Sequence, residues 1–351
     1  MIDLDDPVAI SSGDPGGMLG SIAALPEQCR EGYRIGRSAP PVSAADVRAL
    51  AVCGMGGSAV AGDVLRALVA ERLQIPVEVV RSPTLPAWCG PGALVVASSY
   101  SGDTAETLAC FDEALRRRCR SVVVTAGGAL RARAEAAGVP AVLVPPGLMP
   151  RAAFGYLCLG LLGALEAAGL VPSLEQELGD ALEALDVLVP TLVPTVPTSV
   201  NVAKRLASAI GRRVPVVWGA DGIGAVAASR WKTQFNENAK TPAFAAALPE
   251  LDHNEVVGWS RGSGSRFFVV ALRHDEEHPD VAVRFAPSIE IARDSGALVE
   301  EVWASGASRL GKLLSLVAVG DFTSAYLGLV RGADPTPIEA IVRLKAALAE
   351  A

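Results

Sequence analysis

The sequence predicts an α/β protein of two tandem doubly wound domains, each with a mainly parallel sheet flanked by helices. Three observations lead there. The 351 residues exceed the ~250–300 at which a single hydrophobic core stops growing. From about Asp46 onward, short β-rich runs alternate with helical stretches, the order that builds a parallel sheet with helical crossovers. A strand end, a glycine turn and a helix of small residues occur twice, as VCGMGGSAVAGDVL (52–65) and VWGADGIGAVAASRW (217–231), which suggests duplication of one unit.

Taken in order, ALAVCGM reads as a buried strand and SAVAGDVLRALVAERL as the helix after it. PVEVV, ALVVASSYSG, SVVVTAG and PAVLVPP read as further strands, with helices through TAETLACFDEALRRRC and ALRARAEAAG between them. Apolar and polar residues do not alternate in these runs, as expected of strands covered on both faces. An apolar helix follows Arg151 and ends near Gly169. Pro190, Pro194 and Pro197 then interrupt the chain and mark a boundary between domains 1–185 and 186–351. The second half repeats the pattern: RRVPVVWGADG, RFFVVALR and ALVEEVWAS are strands, AVAASRWKTQFNENAK and LLSLVAVGDFTSAYLGLVRG helices. Near the end, Thr336 is placed to cap a last helix that has Pro337 in its first turn and carries Lys345.

Composition narrows the function. Half the residues are hydrophobic and the formal net charge is −7, which argues against a nucleic-acid surface. The opening MIDLDDPVAI carries acids where an export signal carries Lys or Arg. No apolar run is expected to reach the ~20 residues that span a bilayer. The six cysteines form no C-x-x-C pair and read as reduced structural thiols, so the cytoplasm is the expected compartment.

Several groups are placed for chemistry. Gly54-Met55-Gly56-Gly57-Ser58 lies between a strand and a helix, where the backbone turns tightly and the helix start offers unpaired N–H groups. With Ala59 it also fits a dinucleotide fingerprint, but the acid expected after the next strand is replaced by Arg81; tight packing alone is a third account. Ser99-Tyr100-Ser101-Gly102-Asp103-Thr104 offers the hydroxyls of two serines and a threonine at a helix start, suited to a phosphate monoester or to an ordinary cap. Asp103 would repel a phosphate unless it points away. Glu237 is either a base beside a carbonyl or a solvated acid. His253 is the best proton shuttle among three histidines, or structural; no His or Cys lies at metal-ligand spacing from it. Arg151 sits at a helix start, an unfavourable place for a cation, as an oxyanion partner or a surface charge.

Taken together, these motifs resemble the bifunctional phosphoglucose/phosphomannose isomerase family, whose members carry two sugar isomerase (SIS) domains. GMGGSAVAGD (54–63), SYSGDT (99–104), PRAA (150–153), FNENAKTPA (235–243), LPELDHNE (248–255) and DPTPIEAIVRLK (334–345) carry the likeness, and LPEQ (25–28) looks like the family's N-terminal helix. The resemblance implies an aldose–ketose isomerase that converts glucose 6-phosphate, and also mannose 6-phosphate, to fructose 6-phosphate through a cis-enediol. Gly56, Gly57 and Ser58 would line the sugar site, and Ser99, Ser101 and Thr104 would hold the phosphate. Glu237 would be the base and Arg151 the enediolate's cation. His253, from the partner of a homodimer, would open the sugar ring with Lys345 assisting. No metal or organic cofactor is implied. Asp103 stands where the family usually has Asn. The alternatives are a non-catalytic sugar-phosphate sensor, which would not need Glu237, Arg151, His253 and Lys345 together, and another sugar-phosphate enzyme.

Overall fold

The computed structural model describes residues 2–262 and 264–349. The first sheet holds β1 (Ala49–Cys53), β2 (Val77–Val80), β3 (Ala93–Ser98), β4 (Arg120–Thr125) and β5 (Ala141–Leu143), all parallel, in the order β2-β1-β3-β4-β5. The second holds β6 (Val214–Ala220), β7 (Phe244–Leu248), β8 (Phe267–Arg273) and β9 (Leu298–Trp303), again parallel, in the order β7-β6-β8-β9. The second order is the first with its last strand missing. β1 and β6, the strands that open the repeated sequence, therefore occupy equivalent places. In each sheet the chain first steps to one side and then returns to the other, so a crevice opens at the carboxyl ends of β1 and β3, and of β6 and β8.

An N-terminal arm comprises α1 (Pro7–Gly13), α2 (Met18–Ala23) and α3 (Leu25–Ser38). The first unit adds α4 (Gly57–Val69), α5 (Ala105–Arg116) and α6 (Gly128–Ala137), followed by α7 (Phe154–Ala167) and α8 (Glu175–Leu188). Then come α9 (Val202–Ile210), α10 (Ile223–Asn238), α11 (Pro279–Ala282), α12 (Phe285–Asp294), α13 (Arg309–Val330) and α14 (Glu339–Ala349). Their starts have local causes: Asp6, Asn201 and Ser308 accept first-turn N–H bonds for α1, α9 and α13. The arm joins the body where α3 lies against α7. A methyl on Gly36 would sit 2.2 Å from the Gly160 carbonyl oxygen, so glycine sets how closely those helices approach.

One hydrophobic core runs through both units, joining Val52 and Leu94 of the first sheet to Val217 and Phe268 of the second by way of α7 and α13. Every residue of α13 from Leu310 to Val330 is buried. This helix corrects one expectation: Arg309–Val330 is long and apolar enough to span a membrane by length and composition, but it is wholly enclosed by protein. All six cysteines are free and buried. The position 185/186 falls within α8, which packs on both α3 and α13.

Other differences have physical reasons. β7 was not expected from Phe-Ala-Ala-Ala-Leu, because alanine favours helix and the strand forms only through pairing with β6. The last helix begins at Glu339, not at Pro337. Thr336 does not cap it: its hydroxyl is buried and bonds to no described residue.

Candidate active site

The site lies where the first sheet's crevice meets the end of α10. Gly56, the residue before α4, has φ 50° and ψ −128°, a conformation that favours glycine. Its counterpart Gly222, before α10, has φ 88° and ψ −132°. No side chain caps α4; the Ser58 and Ala59 N–H groups donate instead to the Met55 and Gly56 carbonyls, both at 3.1 Å. Ser58 is buried, and its Oγ accepts a 3.3 Å bond from the Tyr100 N–H. This fastens the glycine turn to the hydroxyl loop after β3.

In that loop Ser99 and Thr104 share a 2.9 Å hydroxyl–hydroxyl bond, and Ser99 Oγ accepts from the Gly102 N–H at 3.1 Å. Of the pair's two hydroxyl hydrogens, one is used between them and one remains to donate outward. Ser101 is exposed and accepts from the Asp103 N–H. Thr104, just before α5, makes no capping bond, so the first amides of α5 also lack a side-chain partner. Asp103 faces away: its Oδ1 accepts from the Ala129 N–H at 2.9 Å and so caps α6. The tyrosine hydroxyl completes the scaffold, donating to the Pro145 carbonyl at 2.8 Å and accepting from the Leu148 N–H at 3.0 Å.

That segment leads into Arg151, which is only 3% exposed. A methyl on Gly57 would lie 3.4 Å from the Arg151 Cα, so the glycine turn and the arginine are neighbours. The guanidinium reaches across to the second unit. Its Nε donates to Asn238 Oδ1 at 2.6 Å, and its Nη2 to the Pro335 and Thr336 carbonyls at 2.7 and 2.8 Å. Only Nη1 is loosely engaged, 3.5 Å from Glu237 Oε2. Burial pulls the guanidinium below its ordinary pKa, opposed by the nearby Glu237, Asp321 and Asp334.

Glu237, in the last turn of α10, borders a cavity of about 510 Å³ shared with Lys240, Asp334, Ile338 and Glu339. Lys240 turns the chain out of the helix at φ 52°. Its ammonium donates to the Glu237 carbonyl at 2.6 Å and to the Pro335 and Pro337 carbonyls at 3.0 and 2.5 Å, which pins the approach to α14.

Thus one contact chain joins Gly56, Gly57, Ser58, Ser99, Ser101, Thr104, Arg151 and Glu237. His253 and Lys345 are not part of it. His253 ends a short 3-10 turn (Glu250–His253) after β7 and is exposed. The turn is anchored through Asp252, which accepts from the Ser288 hydroxyl at 2.7 Å. Lys345 is exposed on α14. Sequence reasoning gave no role to Asn238, Lys240, Tyr100, Arg230 or Asp321. The signal for Asp321 was present, a lone acid within the apolar run LLSLVAVGDFTSAYLGLV, since a buried acid needs a partner. Among the described residues, no three His, Cys, Asp or Glu side chains are grouped to hold a metal.

Two parallel sheets of one strand order, with a hydroxyl loop and a glycine turn at the carboxyl edge of the first, define a tandem sugar isomerase-domain protein. Comparison with known proteins narrows this. Residues 199–348 match the model of the bacterial phospho-glucose isomerase C-terminal SIS domain. A bifunctional phosphoglucose/phosphomannose isomerase of Caldicellulosiruptor bescii is 36% identical over 336 residues, covering 95% of this chain and 99% of that protein. One from Aquifex aeolicus is 35% identical over 85% of this chain and 89% of its own. A crystal structure of a hypothetical protein from Thermus thermophilus superposes with a TM-score of 0.72 at 21% identity, over 97% of this chain and 91% of that one, a likeness of fold. The chain belongs to the bifunctional phosphoglucose/phosphomannose isomerase family.

Proposed function

We propose that the chain is an aldose–ketose isomerase that interconverts glucose 6-phosphate and fructose 6-phosphate, with mannose 6-phosphate as a second aldose. The observation that carries this reading is the pairing of Glu237 with the one loosely held nitrogen of a buried arginine, Nη1 of Arg151, at the end of a contact chain from the hydroxyl loop. A carboxylate that moves a proton beside a carbonyl needs a cation for the oxygen that gains charge. Family membership supports the same reading.

In this mechanism Ser99, Ser101 and Thr104 and the first amides of α5 hold the phosphate, and Gly56, Gly57 and Ser58 hold the sugar. The anchor fixes the reacting carbons relative to Glu237. His253 of the partner subunit and Lys345 pass the proton that opens the ring. Glu237 then takes the proton from C2 of the aldose, leaving a cis-enediolate whose oxygen faces Arg151 Nη1. A proton passes from O2 to O1 of the enediolate, and the carboxylic acid returns its own proton to C1, giving the ketose and restoring the carboxylate. The reading includes a homodimer, a cytoplasmic location and division into domains 1–185 and 186–351, each with one sheet.

The test is turnover of fructose 6-phosphate by the wild type and by Glu237→Gln. The expected result is glucose 6-phosphate from the wild type and a loss of at least ~10²-fold in the variant, the scale of a general base. Binding of the sugar phosphate without turnover by the wild type would replace this reading with that of a sensor.

A further inference from the structure

Behind the Arg151 guanidinium lies a closed ring of buried hydrogen bonds. Arg230, on α10, is 1% exposed and forms a two-point ion pair with Asp321 of α13, at 3.1 and 2.6 Å. Its Nη2 also donates to the Arg151 carbonyl at 3.0 Å, and its guanidinium lies 4.2 Å from the ring centre of Phe154. From Asp321 a second path leads back. The Ser324 hydroxyl donates to the Asp321 carbonyl at 2.7 Å and accepts from Asn238 Nδ2 at 2.9 Å. Asn238 Oδ1 accepts from Arg151 Nε at 2.6 Å. One path thus grips the backbone of Arg151 and the other its side chain, and both end on Asp321.

Such a ring costs stability to assemble. Burying the Arg230–Asp321 pair removes two charges from water, a loss that a well-packed apolar pair would avoid, and burial raises the Asp321 pKa against the pull of Arg230. Its geometric effect is specific: with Nε taken by Asn238 and Nη2 by two carbonyls, the guanidinium has only Nη1 to offer, and that nitrogen faces Glu237.

We infer that Asp321, Arg230, Ser324 and Asn238 are positioning residues for the isomerisation, a buried clamp that presents Arg151 Nη1 to the developing enediolate. This rests on the isomerase reading. The clamp acts on the step in which charge develops more than on binding of the phosphate, which is held by the separate hydroxyl loop.

The experiment is a double-mutant cycle on the full-length protein, in both directions of the reaction. Ser324→Ala removes one hydroxyl and leaves the ion pair intact. It is expected to lower kcat by about tenfold with KM within about twofold, the signature of a reacting group slightly misplaced. In an Arg151→Lys background the same change is expected to cost nothing further, because its effect passes through Arg151. Arg230→Lys is the second variant, expected to lower kcat more and to show the same non-additivity. Independently of turnover, the Arg151 Nε–H proton signal, assigned by its absence from Arg151→Lys, is expected to exchange slowly with solvent in the wild type and quickly in Ser324→Ala. An active wild type whose kcat is unchanged by Ser324→Ala, or additive losses in the two backgrounds, overturns the clamp. An inactive wild type overturns the isomerase reading instead, and the Nε–H exchange then decides whether the clamp exists.

Discussion

Asp103 and His274 illustrate how one side chain's surroundings decide what it does. Asp103 stands in the loop proposed to hold phosphate, yet its carboxylate is bonded to the N-terminus of α6, where a negative charge is favourable. Asp103→Asn keeps a good cap and Asp103→Ala removes it. The urea midpoint should therefore barely move for Asn and should fall for Ala by the equivalent of about 1 kcal/mol. If both fall equally, the cap is not what Asp103 contributes. His274 is 3% exposed, and neither ring nitrogen bonds to a described residue. Burial lowers its pKa below 6.5, with Arg309 and Lys312 adding to the effect and Glu277 and Glu276 opposing it. The folded state thus binds this proton less well than the unfolded chain. The stability it contributes is complete above the unfolded value near 6.5 and is lost as pH falls through the lowered folded value. Melting temperatures between pH 7.5 and 5 should drop more steeply for the wild type than for His274→Leu; parallel curves would exclude the histidine as a source of acid sensitivity.

At the scale of elements, contacts that depend on missing side chains are the sharpest determinants. Gly36 of α3 meets the backbone of α7, and a methyl there has no side chain to displace. Gly36→Ala should cost about 1–3 kcal/mol, the range for overpacking. Gly20→Ala, in α2 with nothing within 4 Å of the added methyl, should stabilise by about 0.5–1 kcal/mol through helix propensity. Thermal denaturation of the pair checks both signs, and a neutral Gly36→Ala would mean that the two helices can separate at little cost. The same scale shows what was legible in the sequence. β1, β3, β4, β6 and β8 were readable because apolar runs between turn residues carry their own signal. β7 was not, since three alanines become a strand only beside β6. α8, α9 and α12 also went unread. Of the site, the glycine turn, the hydroxyl loop, Arg151 and Glu237 stood out as motifs. The clamp did not: Arg230 and Asp321 are 91 residues apart, and only the packing of α10 on α13 makes them partners.

At the scale of the whole molecule, the site of one chain lacks two of its proposed groups. His253 is exposed on an anchored turn, outside the cavity that holds Glu237. α14, which carries Lys345, exposes Ile341, Leu344 and Leu348, three residues at helical spacing on one face. Both features accord with the proposed homodimer, in which each site takes its ring-opening histidine from the other subunit. The arrangement has a consequence that no single-chain site shares. Glu237→Gln and His253→Ala homodimers should each be nearly inactive at ring-closed substrate. Mixing them after dissociation should restore activity, because a two-fold dimer with one subunit of each kind contains one site carrying both wild-type groups. Random reassortment makes half the dimers hybrid, so recovery should approach about one quarter of the wild-type rate. A hybrid built with His253 serving its own subunit would hold no complete site, and mixing would recover nothing. Recovery near a quarter therefore assigns the histidine across the interface, and none returns it to its own chain.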